Sequence, residues 1–346
     1  MWLYFVPYLM FLTLAGSSLV IRRSDMQWLV FGAVLWCIVF AGIRRDADND
    51  WNTYLDIFRD LPPLTAGPRA FFQAISDLYL EPVFAFFVST LKVLVGDKQV
   101  FLVISFTSLL IYFFAIRRVA KYPAMAFLVY AGDGFYLREF TQIRFGLAVA
   151  LVFAGIVALY QGRKWRFRAL VLAATCMHYT GIFVFACGTW IRLVCTRRRV
   201  LAISTLMFAL AMAGVFDGLV ERLADIGLAP ARLVIYLGSN EASHVSPAIV
   251  ALQYMLLVVL SYSMEDDRKE YFFVSVYALS FTLLCVFSGF DLMRRVSFYF
   301  STSLYVLASF SLERRRYLAI GLLVAYSAAL FAARLQILGP YQDWLW

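Results

Sequence analysis

Four charged stretches interrupt an otherwise apolar sequence, and their residue types suggest chemistry. The first is GIRRDADNDWNTYLDIF, residues 42–58, in which Arg44, Arg45, Asp46, Asp48 and Asp50 follow directly on an apolar run. A guanidinium presents a planar fork of donors matched to phosphate oxygens, and a neighbouring carboxylate can take a proton from a hydroxyl. Both at the mouth of a membrane cavity suit a lipid phosphate substrate; a solvated helix end laced with salt bridges is the plainer account. The second is FYLREFTQIRFGLA, residues 135–148, with Arg138, Glu139 and Arg144. An unpaired charge near the bilayer centre costs roughly 2.5–3.5 kcal/mol on insertion scales, so such residues persist only at an interface or facing a polar cavity. Six positions correspond to roughly 240° on a continuous α-helix, so Arg138 and Arg144 converge only if the chain bends between them. A local ion cluster closing a helix turn is the alternative.

The third stretch, LAATCMHYTGIF at residues 172–183, sets His178 and Tyr179 in an apolar segment. The imidazole suits a proton carrier or phosphate donor, or simply a core residue bonded to a carbonyl. The fourth, FDLMRRVSFYF at residues 290–300, spaces Asp291 and Arg295 as a helical i,i+4 pair and leaves Arg294 for another contact.

The elements that must position these residues belong to a membrane protein. Of 346 residues, 63% are hydrophobic and 15% charged, with a mean hydropathy of +0.77, outside the range of a soluble globular domain. Apolar runs predict spans at 2–21, 27–43, 99–116, 122–137, 143–160, 200–218, 247–263, 271–290, 296–311 and 317–335, with less regular segments at 82–95 and 167–195. The expected fold is an all-α polytopic membrane protein of about 10–12 transmembrane helices with re-entrant or broken segments, forming one integral membrane domain over residues 1–346. No basic region precedes the first run and no small-residue cleavage site follows it, so it reads as a retained anchor. No internal repeat or low-complexity tract is visible.

The net charge of +9 is distributed in a way that excludes a nucleic-acid stripe. Arg117, Arg118 and Lys121, then Arg163, Lys164, Arg166 and Arg168, then Arg197 to Arg199, then Arg314 to Arg316 all sit in short loops. This is the positive-inside pattern, and it predicts that the acidic or mixed segments 44–80 and 217–246 are outer-side loops. An outer 44–80 and an inner 117–121 require an odd number of crossings between them. The run 82–95, about fourteen residues, is therefore expected to be re-entrant or interfacial. Segment 167–195, between two basic loops, is read as a hairpin dipping in with its turn near His178. Cys37, Cys176, Cys187, Cys195 and Cys285 lack metal or disulfide spacing and read as buried thiols. With only His178 and His244 as histidines, no built-in metal site is expected. A magnesium ion carried on a phosphate substrate stays open.

Arg44, Asp50, Tyr54 and Phe58 resemble the Arg-x₅-Asp-x₃-Tyr-x₃-Phe signature of the EpsG family of bacterial polysaccharide polymerases, related in function to Wzy-type O-antigen polymerases. LEPVFAFF (80–87), GFYLREFTQIRFGLA (134–148) and LAATCMHYTGIF (172–183) are similar to the family's next blocks in the same order, so that the likeness covers residues 30–190. Asp48 stands where the family usually has glycine, and Phe145 where glutamine is common. The resemblance implies a GT-C-like, multi-pass polymerase of the bacterial inner membrane, acting on undecaprenyl-diphosphate-linked oligosaccharides at the periplasmic face. On that reading Arg44, Arg144 and Arg294, with Arg138 and Arg295 as second choices, neutralise the leaving diphosphate. Asp50 is the first choice for the base that deprotonates the acceptor hydroxyl, followed by Glu139 and His178. Tyr54, Gln142 and Tyr179 are expected to touch the substrate elsewhere. No cofactor is called for, the bilayer and the lipid-linked glycan are the partners, and a chain-length regulator stays open. A ligase would use the same phosphate chemistry. A flippase or exporter would line a cavity with arginines but needs no base, and is expected to show paired halves.

Overall fold

In lipid, every backbone N–H and C=O must find its partner within the segment, so apolar runs wind into helices. The computed structural model describes residues 2–48, 50–216, 222, 245–265, 268–289 and 291–343. It is all-α apart from one short strand pair, as expected of a polytopic membrane protein. The helices are α1 (Phe5–Ser17), α2 (Arg23–Gly42), α3 (Trp51–Asp60), α4 (Pro68–Leu78), α5 (Pro82–Leu91), α6 (Asp97–Val119), α7 (Pro123–Tyr130), α8 (Ile143–Tyr160), α9 (Lys164–Met177), α10 (Cys187–Val194), α11 (Arg197–Met212), α12 (Pro247–Ser263), α13 (Arg268–Val286), α14 (Asp291–Ser301), α15 (Ser303–Glu313) and α16 (Tyr317–Leu335). A π-helical segment, Ala131–Thr141, joins α7 to α8, and a 3-10 segment, Tyr179–Ala186, joins α9 to α10.

Among the described residues, 4 helices are long and apolar enough to cross a membrane alone (α2, α6, α8 and α16), and up to 5 if the pair Tyr179–Val194 and Arg197–Met212, bent by 119°, is one span. Some of the apolar runs read from sequence, 122–137 and 296–311 among them, are instead interrupted in space. At 296–311 the cause is local: the hydroxyls of Ser301, Thr302 and Ser303 donate to the carbonyls of Phe298, Tyr299 and Phe300 at 3.2, 2.8 and 2.7 Å. Such back-bonding bends helices, and α14 gives way to α15 at Thr302. Helix α5 has 10 residues, short of the ~20 needed to span. The predicted outer loop 217–246 lies, but for residues 222, 245 and 246, outside the described residues, as does His244.

The chain divides into two compact units, one formed by Met1–Phe185 with Ala308–Trp346 and the other by Ala186–Leu307. In the first, α6 packs against α2 and α8, α8 against α9, α1 against α7, and α16 against the π segment. Its two ends differ in charge. At one, Lys121 pairs with Glu313 at 3.3 Å and the Tyr122 N–H donates to Ser309 Oγ at 2.9 Å, while Arg163 and Arg166 lie close enough to act on Arg118. At the other, Arg44–Arg45 (β1) pairs antiparallel with Gln342–Asp343 (β2), and the Gly339 N–H donates to Ala47 O at 3.0 Å. Helix α16, 19 residues or about 28 Å long, separates these ends. The 44–48 loop therefore lies opposite the basic loops at 121 and 313–316.

Helix α3 buries Trp51, Leu55 and Phe58 on one face and joins α4, α5 and the start of α6 in a cluster with Phe71, Phe84 and Phe101. The Lys92 ammonium binds the carbonyls of Phe58 and Arg59 at the end of α3, where a cation complements the helix dipole. In the second unit α13 packs on α10, α11, α12 and α14. There Arg197 donates to the carbonyls of Ser261 and Met264 at 3.1 and 2.9 Å, closing the C-terminus of α12.

Candidate active site

Three arginines of the first unit carry the charge foreseen for the site, and each has a different environment. Arg44 is fully buried. Its Nε donates to Asp48 Oδ2 at 3.1 Å, one terminal nitrogen to Ala41 O at 2.7 Å and the other to Phe140 O. Its guanidinium carbon stands 5.1 Å from the Phe101 ring centroid and 4.9 Å from that of Phe140. All three nitrogens are engaged, so the fork holds the 44–48 loop to the π segment. Asp48 is engaged too, its other oxygen accepting from the Asp50 N–H at 3.0 Å as α3 begins.

Arg138 is fully buried as well. The π turn, bonded i to i+5, sets residues five apart over one another, and Arg138 accordingly meets Asp133 at 3.2 Å and the Tyr112 hydroxyl at 3.3 Å. Next to it Glu139 Oε1 accepts from Ser108 Oγ at 2.8 Å and from the Tyr130 hydroxyl at 2.7 Å. This polar layer lies beside the middle of α6. The predicted bend follows at Gln142, whose backbone is non-helical (φ −102, ψ 53). Gly146 permits it: a Cβ there would come within 2.4 Å of the Arg138 carbonyl oxygen. Past the bend, Arg138 and Arg144 address different partners.

Arg144 is the accessible one. Its side chain is 26% exposed and pairs with Glu81, 6% exposed, at 2.9 Å, with Phe84 5.9 Å below the guanidinium. Its Nε and the Oε1 of Gln142 are buried with no hydrogen-bond partner among the described residues. Arg144 also stands in the first turn of α8, an 18-residue helix without a side-chain cap, and such a terminus attracts anions. Tyr54 and Asp50, both half-buried, complete the group. Burial raises the Tyr54 phenol above its ordinary pKa, Arg144 lowers it through charge and through its backbone N–H, and Asp50 and Glu81 raise it further. The hydroxyl is thereby kept neutral while one cation and two carboxylates act on it.

His178 closes α9 with extended backbone (φ −157, ψ 117). The chain turns there, since a Cβ on Gly181 would come within 2.8 Å of the Thr175 nitrogen. The imidazole Nδ1 lies 2.7 Å from Thr180 Oγ1, and the ring meets Phe145 edge-on at 5.3 Å. Tyr179 is 52% exposed. Arg294 and Arg295, in α14, belong to the second unit, and the side chain of their predicted partner Asp291 lies outside the described ones. No group of three or more His, Cys, Asp or Glu side chains able to hold a metal occurs among the described residues.

Arg44, Asp50, Tyr54 and Phe58 thus share one loop and helix of the first unit, and the sequence profile of the EpsG family matches residues 27–344, nearly the whole chain. The chain belongs to the EpsG family. That family is associated with polysaccharide polymerases, and the chain is one of its membrane-embedded members. Neither a curated protein nor a solved structure matches it. Asp48 and Phe145 are both engaged: Asp48 pairs with Arg44, and the Phe145 ring meets His178 edge-on. Glu81 is the site residue that spacing did not single out. Its signal was present in the LEPVFAFF block, where a carboxylate stands directly before the proline that opens α5.

Proposed function

We propose that this EpsG-family chain polymerises lipid-diphosphate-linked oligosaccharides by glycosyl transfer, with undecaprenyl diphosphate as the lipid carrier and the Arg144 end of the first unit facing the periplasm of a bacterial inner membrane. The acceptor hydroxyl oxygen attacks the anomeric carbon of the growing glycan. The bond from that carbon to the diphosphate breaks, the lipid diphosphate leaves, and the hydroxyl proton passes to a carboxylate. Arg144 at the start of α8 carries the reading, because its side chain is partly open and its terminal nitrogen rests on a carboxylate that a diphosphate can displace. The developing negative charge meets a guanidinium and a helix N-terminus without a metal.

Asp50 serves as the base, and the charges of both Asp50 and Arg144 act on the nearby Tyr54 phenol. Gln142 Oε1, unsatisfied beside Arg144, accepts from a sugar hydroxyl. Arg44 and Asp48 act one layer back by fixing the loop that carries Asp50. Arg138, Glu139, His178, Tyr179, Arg294 and Arg295 are secondary candidates. The test is to incubate purified protein with a synthetic lipid-diphosphate repeat unit and resolve the products by size. A ladder from wild type, reduced about 10²–10⁴-fold by Asp50→Asn as expected for loss of a general base, supports the reading. Absence of any ladder with full-length active-fold protein, or an unaffected Asp50→Asn ladder, refutes the polymerase or the base assignment respectively.

A further inference from the structure

At the basic end of the first unit, away from Arg144, α6, α8 and α9 enclose an apolar groove of about 410 Å³. Phe106, Leu110, Leu151 and Leu170 line its walls, and two cations close it, Arg118 from the last turn of α6 and Arg166 from the first turn of α9. The charges acting on Arg118 are those of Arg166 and Arg163. Among the described residues neither Arg118 nor Arg166 forms a salt bridge.

The start of α9 compounds this. It has no side-chain cap and no acidic residue in its first turn, while Arg163, Lys164 and Arg166 crowd there. Cations at a helix N-terminus oppose the dipole, so this arrangement is unfavourable until an anion neutralises it. Trp165, 79% exposed, stands beside Arg168 with the guanidinium 4.7 Å from its ring centroid, as interfacial tryptophans do at headgroup level.

We infer that this groove is a binding site for an anionic glycerophospholipid, its acyl chain between α6 and α8 and its phosphate on Arg118 and on Arg166 at the start of α9. Charge complementarity favours this occupant over a zwitterionic lipid, and the inference is independent of the transfer chemistry above. The full chain in detergent is offered phosphatidylglycerol or phosphatidylcholine at equal concentration, and bound lipid is counted by native mass spectrometry alongside the thermal midpoint. Two arginines near a membrane surface predict retention of phosphatidylglycerol over phosphatidylcholine by about tenfold or more. The double variant Arg118→Gln, Arg166→Gln abolishes that preference and the lipid-induced rise in midpoint. Leu110→Trp with Leu151→Trp fills the groove and lowers phosphatidylglycerol retention with the arginines intact. Arg315→Gln with Arg316→Gln, which removes charge elsewhere at the basic end, leaves the preference unchanged. Equal retention of the two lipids by wild type, or an equal loss from the Arg315 and Arg316 variant, overturns the site in favour of diffuse surface attraction.

Discussion

Two arginine–carboxylate pairs stand in the first unit, and they differ in what they leave unsatisfied. In Arg44–Asp48 both side chains are wholly buried at 3.1 Å, and every guanidinium nitrogen has a protein acceptor. In Arg144–Glu81 the arginine is 26% exposed, and its Nε has no partner among the described residues. Sequence presents both as arginines beside acidic or polar residues at the edge of apolar runs. Burial separates them: a saturated, wholly buried fork secures a loop, whereas a partly exposed fork at a helix N-terminus can exchange its carboxylate for another anion.

The sharpest way to break this comparison is Arg144→Ala. Polymer should disappear while the protein reaches the membrane at wild-type level, and Arg144→Lys should rescue poorly because the planar fork is lost. A normal ladder from Arg144→Ala would move this residue into the structural class with Arg44. Next comes Arg44→Ala, which leaves Asp48 buried and uncompensated. Breaking such a pair costs about 3–5 kcal/mol, so the yield of folded protein and its thermal midpoint should both drop. A stable Arg44→Ala protein that has lost only activity would reverse the assignment.

Glu81→Gln keeps the geometry but removes the resident negative charge that competes with substrate for Arg144. The substrate KM should change more than the level of folded protein, and a variant with unaltered KM and turnover would detach Glu81 from the site. The smallest effect is expected of Tyr54→Phe. A phenol held above its ordinary pKa of about 10 stays protonated through the neutral range, so the rate should fall only modestly. The pH–rate profile below about 9 should keep its shape; a lost basic limb in Tyr54→Phe would instead make that phenol the titrating group.

The membrane character and the helical nature of the apolar runs were legible because they depend on composition and on the length of apolar stretches. Lys121 and Glu313 meet at one end while residues 44–48 meet 338–343 at the other. Helical geometry called for a bend between Arg138 and Arg144 only if the two were to converge; the chain bends at Gln142, yet Arg138 meets Asp133 and Arg144 meets Glu81. The π segment was not legible, since i to i+5 bonding leaves no separate composition signal and the α-helical spacing misplaces Asp133 relative to Arg138. The break at Thr302 hides in hydroxyls that look tolerable in an apolar run. Glu81 and Arg144 stand 63 positions apart, a pairing that no periodicity reveals.

The short strand pair over the 44–48 loop has a consequence for biogenesis. The Tyr341 hydroxyl donates to Phe40 O at 2.9 Å across 301 positions of sequence, and the Tyr341 ring stacks on that of Phe40 at 4.5 Å. At translation rates of about 5–20 residues per second, that separation corresponds to about 15–60 s. For that interval the Arg44 loop waits without its closing strand, so its local packing is completed only once residue 341 has been made.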